Sequence, residues 1–68
     1  MSRRTKYDIY FEILDAIRRK GSCQITRISY AVGLPVDRTK RTVKFLIQNG
    51  LIKEQMIGER KVYRITTR

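Results

Sequence analysis

Arg38, Lys40, Arg41 and Lys44 place four positive charges within seven residues. A guanidinium offers paired N–H donors to a phosphate, a carboxylate or the O6/N7 edge of guanine, and an ammonium acts as a point charge on phosphate. Such a cluster suits anion recognition rather than bond making. A second cluster, Arg60, Lys61 and Arg64, lies near the C-terminus. Arg27, Ser29, Arg3 and Arg4 are further candidates for phosphate contact. Asp37 stands among the cations. It can accept from a cytosine amine, and at a helix start it also favours the positive end of the dipole.

Residues for covalent or metal chemistry are scarce. There is no His, which removes the commonest general base and metal ligand. A single Cys, Cys23, excludes an intramolecular disulfide and a Cys-rich zinc site, and reads as a small buried residue. Asp8, Glu12 and Asp15 read as a solvated acid stripe rather than a metal site. Neither a phosphate-binding Gly loop nor a nucleophile motif is present. The expectation is therefore no enzyme, no metal, no cofactor and no small-molecule ligand.

The chain has 68 residues and a net charge of +10, with a hydrophobic share of 41%. That share is too high for a disordered basic tail, so the chain reads as one small folded domain. A domain of this size hides only about 60% of its unfolded surface, which limits the core. Charge of this size speaks of partners: nucleic acid, an anionic membrane surface or an acidic protein. No run reaches the roughly 18 apolar residues of a membrane span, and acids interrupt any leader-like core after Met1–Arg4. A lone Cys fits a reducing compartment, so the expected location is cytoplasmic and nucleoid-associated, with no membrane partner.

The cations need elements to position them. Residues 1–5 read as a flexible basic N-terminus and 6–68 as one domain. Ile9, Ile13 and Ile17 predict a helix over Lys6–Lys20, capped by Thr5 and ended by Gly21. Ser22–Gln24 predicts a brief extended segment. Ile25, Ile28 and Val32 predict a second helix over Thr26–Val32, stopped by Gly33. Pro35 starts a third over Val36–Asn49, with Thr39, Val43 and Leu46 on one face and the cations opposite. Leu51–Met56 and Lys61–Thr66 predict strands around Ile57-Gly58-Glu59-Arg60, with Tyr63 and Ile65 on one face and Val62 and Arg64 on the other.

Ile28-Ser29-Tyr30-Ala31-Val32-Gly33-Leu34 has helix-turn-helix spacing: small Ser29 permits a close crossing, Gly33 makes the turn and Leu34 plugs the core. With Thr39-x3-Val43-x2-Leu46, Asn49-Gly50-Leu51-Ile52 and Tyr63-Arg64-Ile65-Thr66, the chain resembles the winged helix-turn-helix domains. In particular it resembles small winged-helix regulators of archaea and of their viruses and plasmids. The resemblance covers residues 6 to 66 and implies an α+β fold: a three-helix core, a short strand between the first two helices, then a two-stranded β-hairpin wing. It implies a double-stranded DNA-binding transcription regulator, with recognition helix 36–49 in the major groove and wing 56–64 on flanking DNA. A non-specific architectural DNA-binding protein is the alternative, and an RNA-binding winged helix a further one. Thr39 departs from the pattern, which has a branched apolar residue there. Relatives often continue into a further dimerising helix, whereas this chain stops at Arg68, so a homodimer is expected to pack through the first helix, at Tyr7, Phe11 and Leu14.

Overall fold

The first helix, α1 (Lys6–Lys20), begins at a complete capping box. Thr5 Oγ1 accepts from the Asp8 N–H at 3.2 Å, and Asp8 Oδ2 accepts from the Thr5 N–H at 2.8 Å. Two N–H groups that helix geometry leaves without partners are thereby satisfied. Ile9, Ile13 and Ile17 form the buried stripe, with Tyr10 and Leu14 half-buried beside it. Near the other end Asp15 accepts from Arg18 at 2.8 Å and pairs with Arg19 at 3.0 Å. The Arg18 hydrogen bond, aided by both guanidinium charges, holds its carboxyl below the usual range.

The computed structural model describes residues 4–66. After α1 come α2 (Ile25–Val32), α3 (Val36–Gln48) and the strands β1 (Ile52–Ile57) and β2 (Arg60–Ile65). α2 starts one residue earlier than the Thr26 start expected, because Ile25 already packs on the core. Gly33 ends it in the left-handed region, at φ 71° and ψ 33°, and its N–H donates to the Ser29 carbonyl at 2.9 Å. A side chain there would be strained by the backbone alone. Pro35 is the N-cap of α3, and Asn49 caps its end rather than continuing it. Thr39, the weak core position of the sequence pattern, is fully buried, and its hydroxyl donates to the Pro35 carbonyl at 3.0 Å. The polar atom is satisfied, so the departure leaves no unpaired group inside.

The hairpin is antiparallel, with Ile57 opposite Arg60 and Ile52 opposite Ile65. Its loop is only Gly58-Glu59, with Gly58 at φ 62°, so each strand sits one residue closer to the turn than the sequence spacing suggests. Simple alternation also fails at Val62. It shares a face with Arg64, yet it is buried, because Ser22, Cys23 and Ile57 gather beside it. The expected short strand at Ser22–Gln24 reduces to one bridge. Cys23 and Tyr63 exchange backbone hydrogen bonds of 3.1 and 2.8 Å.

One cluster joins Ile9, Ile13, Ile17, Cys23, Ile28, Val32, Val43, Leu46, Ile52 and Tyr63, so every element contributes to a single core. Arg4 and Thr5 belong to the folded unit rather than to a flexible arm. Thr5 caps α1, while Arg4 donates to Glu12 at 2.7 Å and to the Val32 carbonyl at 2.9 Å, tying α1 to the end of α2. Residues 1–3, with the candidate Arg3, and 67–68 lie outside the described residues.

Trimming one methyl from the fully buried Ile13 tests the core. Ile13→Val should cost about 0.5–1.5 kcal/mol in urea unfolding with an unchanged slope. Cys23 is buried, its thiol donates to the Ala16 carbonyl at 3.7 Å, and burial pushes its pKa up. Iodoacetamide should therefore label it slowly in the native chain and readily in denaturant; equal rates would contradict this placement.

Candidate nucleic-acid interface

α3 turns its buried residues Thr39, Val43 and Leu46 toward the core. The opposite line, at i, i+4, i+7 and i+11, is Asp37, Arg41, Lys44 and Gln48, all exposed. Lys40 lies on one flank and Arg38 on the other, beside Phe45. Among the described residues none of the four α3 cations forms an ion pair. The acids of α1 contrast with them: Asp8 caps the helix, Glu12 holds Arg4, and Asp15 holds Arg18 and Arg19.

Between α3 and the hairpin runs an open groove of about 780 Å³. Lys40 and Lys44 line it from the helix, Lys53 and Lys61 from the strands, with Val43, Ile52 and Tyr63 among its lining residues. Glu54 is the opposing charge, 3.9 Å from Lys61. Both side chains are about half exposed, so that pair is weak and exchangeable. The hairpin is held in this position at its base, at two points along and after β2. Cys23 binds β2 at Tyr63, and the Thr66 hydroxyl and N–H donate to the Gly50 and Leu51 carbonyls at 2.6 and 3.1 Å.

The three expected wing cations do not form one patch. Cross-strand pairing puts Lys61 on the face with Tyr63, and Arg60 and Arg64 on the other. Arg64 donates to Gln55 at 3.3 Å. Arg60 instead meets Arg27 around a shallow pocket of about 290 Å³ beside Ser22 and Gln24. Arg27, three residues past the N-cap of α2, is exposed there. Two of the candidate phosphate contacts are otherwise engaged. Ser29 is buried and its hydroxyl donates to the Thr26 carbonyl at 3.1 Å, within its own helix. Arg4 is committed to Glu12 and Val32.

Three residues escaped the sequence reading. Gln48 completes the outward line of α3, as its spacing from Lys44 and Arg41 signals. Lys53 borders the groove, but an isolated Lys in a strand carries no such signal. Tyr30 stands 91% exposed on α2, opposite Ile28 and Val32. Of the expected dimer residues, Tyr7 is 70% and Phe11 69% exposed, while Leu14 is half-buried. Tyr10 packs face to face on Phe45 at 5.0 Å and edge-on to Tyr7 at 5.9 Å. No described helix is long and apolar enough to cross a membrane.

Comparison with known proteins places this geometry. The crystal structure of Sso10a-2, a DNA-binding protein from Sulfolobus solfataricus, is similar with a TM-score of 0.79 at 30% identity. The match covers 94% of this chain and 64% of that one, so the chain spans under two thirds of that protein's length. The homodimeric winged helix-turn-helix DNA-binding domain of Mb0332 from Mycobacterium bovis, a possible ArsR-family regulator, is similar at 26% identity with a TM-score of 0.75. That match covers 84% of this chain and 52% of the other. The Zalpha domain of PKZ from Carassius auratus shares the fold at 16% identity and a TM-score of 0.80, over 90% of this chain and 97% of that one. No curated protein sequence matches significantly. The winged helix-turn-helix family model matches residues 3–68, and the chain belongs to that family.

Proposed function

We propose that the domain binds double-stranded DNA as a transcription regulator, with α3 in the major groove and the hairpin on flanking backbone. The observation that carries this reading is the line of ion-pair-free cations on α3 continuing into the lysine-lined groove. A polyanion meets charge there that no protein carboxylate has yet neutralised, apart from Glu54. The similar Sso10a-2 is a DNA-binding protein, and the similar Mb0332 domain a homodimeric DNA-binding one.

Within this reading Arg38 and Arg41 reach base edges, since Arg is bidentate to guanine, and Gln48 extends the same line. Lys40, Lys44 and Lys61 neutralise phosphates along the groove, and Lys53 does so from the face it shares with Arg64. Arg27, Arg60 and Arg64 serve a neighbouring stretch of backbone. α1 has a full side-chain cap, whereas Gln24 and Pro35 cap α2 and α3 without a side-chain bond. The N–H groups at those two starts can meet phosphate oxygens, and at the α2 start Arg27 and Tyr30 lie beside Gln24 and Thr26. The role is binding without catalysis inside the cell, as a homodimer joined through α1.

A random-duplex selection at two salt concentrations tests the reading. An enriched sequence is expected. No enrichment at either salt would contradict a regulator and indicate sequence-independent coating, and preference for A-form RNA would contradict the duplex ligand. On the enriched duplex, Arg41→Ala should cost about 1–3 kcal/mol and relax the preference at one position. Lys44→Ala should weaken all duplexes alike and lower the salt slope by about 1.

A further inference from the structure

We infer that α1 is the seam of a two-fold dimer in which Tyr7 and Phe11 of each copy seat in a cleft of the other. This rests on the homodimeric DNA-binding reading and deepens it. Tyr7, Phe11, Leu14 and Arg18 share one stripe, at i, i+4, i+7 and i+11. At one end of the stripe two aromatic rings stand about 70% in water. Next to them, with Phe11 itself in one wall, lies an apolar cleft of about 310 Å³, lined also by Leu14, Asp15, Arg18, Leu51 and Ile65. Projections and cleft therefore lie on the same helix and point the same way.

The spacing is palindromic. A two-fold axis passing between Glu12 and Ile13, with the two α1 helices antiparallel, brings Phe11 to the level of Leu14 of the partner subunit. It brings Tyr7 to the level of Arg18 of the partner subunit, where a guanidinium can lie over the ring. Each copy then fills the other's cleft, which is the self-complementarity an isologous interface requires.

Self-complementarity selects a second copy, and charge selects this face. Two chains of charge +10 repel each other. On α1, however, the acids are matched internally: Asp15 holds Arg18 and Arg19, and Glu12 holds Arg4. Residues 4–20 carry five cations and three acids, net +2, whereas residues 36–68 carry nine cations and three acids, net +6. The seam is thus where two copies can approach with least repulsion and most apolar surface to bury.

The arrangement has a consequence for DNA. Tyr10 stacks on Phe45, so α3 sits to one side of the stripe. A two-fold axis perpendicular to the paired helices carries that side of each copy to the same side of the dimer. Both α3 helices then share one face, which a palindromic duplex needs.

Light scattering at micromolar protein should give a dimer for the wild type. Phe11→Glu should give a monomer with an unchanged helical circular dichroism spectrum, since Phe11 is exposed. Under oxidation, a chain carrying both Tyr7→Cys and Arg18→Cys should cross-link into a dimer, while either substitution alone should not. A monomeric wild type, a dimeric Phe11→Glu chain, or cross-linking by Tyr7→Cys alone would overturn the proposal. A monomer that still binds duplex DNA would overturn only the seam, and a dimer that binds none would overturn only the DNA reading.

Discussion

The two hydrogen bonds between Cys23 and Tyr63 fix where the hairpin stands, and the cationic groove depends on them. A two-stranded hairpin has little stability of its own in water. This one is held because Tyr63 buries its ring in the helical core while its backbone pairs with the α1–α2 connection. Just beyond it, Thr66 ties the end of β2 to the exit of α3. With its base fixed, Lys61 faces Lys40 and Lys44 across a groove of set width, and Lys53 borders it from the other face of the hairpin, where it pairs with Arg64. A free hairpin would carry the same charges with no fixed spacing, and fixed spacing is what matches a row of phosphates.

Charge is segregated in a way that follows from this frame. Six acids serve sixteen cations. Three of those acids lie on α1, and all three are engaged in capping or ion pairs there. α3 has one acid, Asp37, in its first turn, where it suits the helix dipole. Mutual repulsion along α3 is opposed by the burial of Thr39, Val43 and Leu46 beneath it. The core thus holds in place a charged face that would otherwise relax apart, and an anionic ligand relieves that repulsion.

Much of this was legible in the sequence because helix periodicity is a strong local signal. The bounds of α1, the Gly33 turn and the outward cations of α3 all follow from spacing, capping and glycine placement. The strands were placed one residue off, since register depends on a two-residue turn that a Gly-containing tetrapeptide does not specify. Sequence proximity grouped Arg60, Lys61 and Arg64, whereas the pleat sends Lys61 to one face and its neighbours to the other. Lys53 joins the groove, and Val62 becomes buried, only through packing between distant segments. Arg4 looked like part of an arm, because a bond to a carbonyl 28 residues away leaves no trace in local pattern.

The most direct test of the account is a titration of the isotope-labelled chain with duplex DNA, followed by amide chemical shifts. The predicted shifts concentrate in Val36–Gln48 and around Lys61, with the Asp8–Asp15 side of α1 largely unmoved. Shifts centred on Asp8, Glu12 and Asp15 with α3 silent would contradict the claim that α3 and the groove hold the duplex.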